Sequence, residues 1–110
     1  MSMDRESRPT QYEMVAGTES PSISTARAAW QSIHFGTQIV AGTITYRVKN
    51  EDSKVYVAAV DSEGATIAPV SITPGMVLPV DQNINHAANY QLVFSAAQAD
   101  GATFTVINKT

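Results

Sequence analysis

The chain has 110 residues, 44% of them apolar, and seven basic against ten acidic side chains give it a formal net charge of −3. That length suits a single domain. Such a domain still buries only roughly 60–70% of its unfolded surface, so it is expected to gain stability from copies of itself or from a partner. Only Arg47, Lys49, Lys54 and Lys109 lie beyond Arg27, and they form no basic stripe, which argues against a nucleic-acid backbone as partner.

Cysteine is absent, which excludes disulfides, thiolate nucleophiles and Cys-ligated zinc. The N-terminus is charged and has no apolar h-region, so it does not read as a signal peptide. No apolar run approaches the ~18 residues of a membrane span. A soluble protein with no membrane partner is expected.

Residues 1–29 hold seven charges, two prolines (Pro9 and Pro21) and the small polar stretch from Ser20 to Thr25, without a period of 2 or 3.6. They read as an extended N-terminal arm with one short strand around residues 11–15. Such an arm is either a disordered leader or a segment that orders against a neighbouring subunit. Residues 30–110 form the expected β-sandwich domain. Ile33 and Phe35 stand two apart. In residues 43–49, Ile44, Tyr46 and Val48 alternate with Thr45, Arg47 and Lys49, as a strand with one buried face requires.

The polar run Asn50-Glu51-Asp52-Ser53 reads as a hairpin turn. The strand over residues 54–61 is apolar on both faces, so it is either central or covered on its second side by another chain. Asp61-Ser62-Glu63-Gly64 is a second turn. Pro69 interrupts the next strand and marks an edge or a bulge, and Pro74-Gly75 fits the centre of a type II turn. A short strand containing Pro79, a polar loop over residues 81–89 and two further strands complete the chain. In the last two, Tyr90, Leu92, Phe94 and Ala96, then Ala102, Phe104 and Val106, share inner faces. Residues 24–30 allow at most one turn of helix. Six or seven short strands every 8–12 residues predict an all-β, antiparallel β-sandwich or jelly roll.

Catalytic chemistry finds no support. The two histidines, His34 and His86, lack an accompanying nucleophile elbow, and His34 lies out of phase with Ile33 and Phe35, facing solvent or a partner. Asp81-x-Asn83-x-Asn85 matches the opening of an EF-hand. His86 then replaces the required glycine and Leu92 the bidentate glutamate, so Asp and Asn are expected to cap their own backbone instead. Gly36 and Gly42 bracket no phosphate loop and read as bends or bulges. No catalytic residue, cofactor or metal site is assigned. Tyr46, Tyr90, Phe35, Phe94 and Phe104 fall on inward phases. Trp30 either caps the sandwich end or anchors the arm or a partner; Tyr12 and Trp30 are the two candidate partner-binding residues.

The cadence of residues 42–58, Gly-Thr-Ile-Thr-Tyr-Arg-Val-Lys-Asn-Glu-Asp-Ser-Lys-Val-Tyr-Val-Ala, is strand, Asn-acidic turn, then a strand of aromatic and valine. With Tyr90-Gln-Leu-Val-Phe-Ser-Ala-Ala and Asp100-Gly-Ala-Thr-Phe-Thr-Val, it resembles the small β-sandwich virion proteins of tailed bacteriophages, especially capsid decoration (cement) proteins. The resemblance covers residues 30–109 and is one of style. It implies a non-enzymatic protein on the capsid surface of a virion, assembled in the host cytoplasm. Its partners would be the major capsid protein and copies of itself, with a homotrimer favoured. The alternative is a receptor- or carbohydrate-binding sandwich, for example at a phage tail.

Overall fold

The structure, a computed structural model, describes residues 7–25 and 30–109. One sheet has the order β1-β10-β4-β8, from β1 (Ser7–Glu13), β4 (Trp30–Phe35), β8 (Val77–Pro79) and β10 (Thr103–Lys109). The other is centred on β9 (Asn89–Gln98) and β5 (Gly42–Lys49). Its first edge is shared by β2 (Gly17–Glu19) and β3 (Ile23–Ser24), and its second by β6 (Tyr56–Ala58) and β7 (Val70–Ile72). All pairings are antiparallel. With each shared edge counted as one position, the chain crosses between sheets at every step except β5 to β6. That path through two four-position sheets is a jelly roll, as expected from the strand spacing.

The alternation foreseen in the sequence fills the interior. Ile44 and Tyr46, Tyr90, Leu92 and Phe94, and Ala102, Phe104 and Val106 are all buried. Phe35 packs edge-on to Phe94 with ring centroids 6.3 Å apart, and the same distance separates it from Phe104. The turns also form as their residues dictate. Asn50 Oδ1 accepts from the Asp52 and Ser53 amides, and Asp61 Oδ1 from those of Glu63 and Ala65. At Thr73–Met76 the Met76 N–H donates to the Thr73 carbonyl at 3.2 Å, and Gly75 takes φ 77°, the conformation a type II turn demands. Gly36 serves close approach: a Cβ there would lie 2.6 Å from the Thr103 carbonyl oxygen.

Three expectations are corrected. The boundary at residue 29 does not hold, because described residues of the supposed arm belong to the sandwich. β1 pairs with β10 over seven residues, and Met14 and Ile23 are fully buried in the core. Residues 1–6 and 26–29 lie outside the described residues, as does most of the single helical turn foreseen over residues 24–30. The apolar strand over residues 54–61 is not central: only Tyr56–Ala58 is strand, and it lies on a sheet edge. Finally, the polar loop over residues 81–89 holds a 3-10 helix, Gln82–His86, that drives Ile84 into the core.

Because β1 and Met14 are integral, deleting residues 1–29 is expected to abolish cooperative unfolding, and Met14→Ala to cost about 2–5 kcal/mol in denaturant titrations.

Candidate functional site

One end of the sandwich is closed by the turn after β8. Val80 donates its amide to the Gln31 carbonyl, delivering the chain to Asp81. The Asp81 carboxylate accepts from the Asn83 amide and from Asn83 Nδ2, both at 2.9 Å, and so starts the 3-10 helix. This is the local capping expected of that Asp and Asn. After the helix, Thr25 clamps the chain to β3. Its hydroxyl donates to the carbonyls of Ala87 and Ala88, at 2.9 and 3.2 Å, and its amide donates to Ala88.

Between this segment, the end of β5 and the Asp61 turn lies a cleft of about 470 Å³. Val48, Ala59, Val60 and Ala88 contribute apolar wall, and Lys49, Glu51, Asp61, Asn83 and His86 bring polar groups of both signs. Its size and apolar walls suit a small ligand or a side chain of a partner. Among the described residues, no group of three or more His, Asp or Glu could hold a metal.

Beneath this end, burial dominates the tyrosines. It pushes the Tyr46 hydroxyl up to about 12, partly offset by a backbone hydrogen bond from Asp81 and reinforced by the charge of Asp81. Burial likewise raises Tyr90, with smaller contributions from Tyr46 and Tyr12. The Tyr90 hydroxyl donates at 2.8 Å to Oε1 of Gln31, which is itself buried. Gln31 Nε2 in turn donates to the Ser24 carbonyl at 2.9 Å and to Asn108 Oδ1.

The two sequence-derived candidates are not brought together. Tyr12 points inward from β1, stacked on Phe104 with centroids 5.4 Å apart, and its ring packs against the core. Trp30 opens β4 opposite Lys109 on the outer face of the same sheet and is 49% exposed. Neither lines the cleft. His34 is exposed on that outer face, 3.2 Å from Ser32 Oγ; among the described residues no carboxylate orients it. The cleft residues come from the end of β5, the two turns over residues 50–53 and 61–64 and the loop over residues 81–89, and no spacing within any one of them signals that they meet.

A second surface stands out. Val55, Val57 and Val60, in and beside edge strand β6, are 56%, 44% and 47% exposed. Val57 faces inward with its ladder partner Val48, which packs on the core, yet the opposite sheet leaves Val57 half uncovered.

No protein-family profile matches the chain, and no curated protein sequence matches it either. Among solved structures, the chain is similar to the SPBc2 prophage-derived protein YomS. The TM-score is 0.65 at 8% identity, covering 100% of this chain and 98% of that one. At that identity the likeness is one of fold, and it spans both chains end to end.

The raised tyrosines set the alkaline limit of stability. An exposed tyrosine in the unfolded chain ionises near 10, whereas the folded protein holds both protons to higher pH. Stability is therefore unaffected by them below about pH 10 and falls above it by ~1.4 kcal/mol per pH unit for each tyrosine. Denaturant titrations at stepped pH are expected to show this fall. Tyr90→Phe is expected to halve its slope, and to cost about 1–3 kcal/mol at neutral pH by leaving Gln31 Oε1 without its donor.

Proposed function

We propose that this protein is a non-enzymatic structural component of a tailed-phage virion. In this reading it binds the outside of the capsid, assembles with copies of itself and stabilises contacts between major capsid protein subunits. Virion assembly in the host cytoplasm then places it on the capsid surface. The observation that carries the reading is that a prophage-derived protein shares this jelly roll over 100% of this chain and 98% of that one. The half-exposed valines along β6 supply the apolar contact area that a bridging subunit needs. The described N-terminal strand belongs to the sandwich, so the contacts come from the sandwich surface.

The test is co-sedimentation of the purified protein with expanded capsids of the phage that encodes it, followed by heating of the decorated particles. Saturable binding with a rise in capsid melting temperature is expected. Binding to tails and not to capsids would sink the reading.

A receptor- or carbohydrate-binding role is the second reading, favoured by the cleft with its polar groups of both signs. Among the described residues no Trp, Tyr or Phe lines that cleft, so the broad stacking surface that sugars use is missing there. A glycan array giving binding that His86→Ala and Asp61→Ala remove would favour this role over the structural one.

A further inference from the structure

Sheet edges carry unpaired backbone groups and are ordinarily blunted by proline, charge or extreme shortness. The other edges of this sandwich follow that rule. β1 contains Pro9 and Glu13, β8 ends in Pro79, β2 ends in Glu19, β3 has two residues and β7 follows Pro69 directly. β6 is the exception: Tyr56-Val57-Ala58 holds neither proline nor charge, and valines flank it. The nearest charge along the chain, Lys54, is drawn back to Glu51 at 3.2 Å, and Arg47 and Lys49 stand on the neighbouring strand β5.

The direction of its backbone groups follows from the ladder. The Val55 carbonyl accepts from the Asn50 amide at 2.9 Å, and the Ala59 amide donates to the Tyr46 carbonyl at 3.1 Å. The Val55 carbonyl, the backbone of Val57 and the Ala59 amide therefore point to β5, while the Ala59 carbonyl turns to the Ile67 amide. Tyr56 and Ala58, one step out of phase, direct theirs away from the sheet, where β6 has no neighbouring strand among the described residues.

We propose that β6 pairs with β6 of a second copy of this chain, antiparallel, about a two-fold axis at Val57. Such an axis sets Tyr56 opposite Ala58 of the other copy, and Ala58 opposite its Tyr56, so all four outward-facing groups on each strand find partners. On one face of the joined sheet the small Ala58 methyl stands opposite Tyr56, whose ring is held back over its own sheet by a hydroxyl contact with Ser22 Oγ. On the other face Val57 meets its own counterpart in a non-hydrogen-bonded pair, where side chains approach closest. The isologous contact brings no charge against its like, which suits a chain of net charge −3. The occupant is thus a copy of the chain itself, because the edge is complementary to itself in hydrogen bonding and brings no like charges together.

The inference does not rest on the capsid reading and is tested on the protein alone, by light scattering after size exclusion. A mass of two chains is expected. Val57→Lys sets like charges across the axis and is expected to weaken association by at least about tenfold while leaving the circular dichroism spectrum unchanged. A register test uses the absence of cysteine from the chain. The two Val57 Cα atoms would stand about 4.5 Å apart, within disulfide range. Val57→Cys is expected to give a cross-linked dimer on mild oxidation, and Val15→Cys, 73% exposed at the other end of the sandwich, to remain a single chain on a denaturing gel. A mass of one chain, a mass of three, or a two-chain mass that survives Val57→Lys would each overturn the proposal. So would a dimer that Val57→Cys fails to cross-link, as when another surface joins the copies.

Discussion

The buried amide of Gln31 is the constraint around which the two sheets are assembled. It stands on β4, donates to Ser24 on β3 and Asn108 on β10, and accepts from Tyr90 on β9, so four strands and both layers meet at one side chain. An unpaired polar atom in such a place costs on the order of 1–3 kcal/mol, so the amide is tolerated only where all these partners converge. That requirement fixes register. Sliding β4 by one residue would turn Gln31 to solvent and bring Ser32 and His34 inside. The backbone carbonyl of the same residue receives the Val80 amide and thereby aims the chain into the Asp81 turn. The interior polar node and the cleft above it are therefore parts of one arrangement.

Legibility in the sequence followed the length and one-sidedness of each strand. Residues 43–49, 90–96 and 102–106 alternate because each segment is several residues long with one face buried, and their inner residues could be named in advance. Turn chemistry at Asp61 and at Pro74-Gly75 is carried by side chains or φ requirements that only a few residue types meet. Residues 7–25 failed this test for physical reasons. β1 is an edge strand that sends few large apolar side chains inward, Tyr12 chief among them, while β2 and β3 have three and two residues, too few to display a period. Ile84 was obscured likewise, as a lone apolar residue in a polar run. The cleft was illegible because contiguity in space, not in sequence, creates it.

The split second edge of the β5 sheet explains where the cleft comes from. β6 covers β5 at Arg47–Lys49 and β7 covers it at Gly42–Ile44, so no single strand follows the full length of β5. Between them the chain leaves the sheet as a hairpin bridged at Val60 and Thr66, held at its base by the Ala59 amide on the Tyr46 carbonyl and the Ile67 amide on the Ala59 carbonyl. That excursion carries Asp61 and Val60 out to face His86 and Asn83, making one wall of the cleft. The same departure shortens β6 and leaves its valines outside the cover of the opposite sheet. Cleft and exposed edge are two consequences of one topological choice.

A jelly roll hosts many unrelated functions, so the fold shared with a prophage-derived protein constrains the role less than the surface does. The surface is polarised along the strands. Lys49, Glu51, Asp52, Lys54, Asp61, Glu63 and Asp81 crowd the cleft end, whereas the loops joining β4 to β5 and β7 to β8 at the opposite end carry no charge. Val15 and Val40 are exposed at that opposite end, where the β9–β10 turn carries Asp100. Charge concentrated at the cleft end, exposed valines at the other, and a sheet edge without the usual guards leave apolar surface that the protein's own core does not cover.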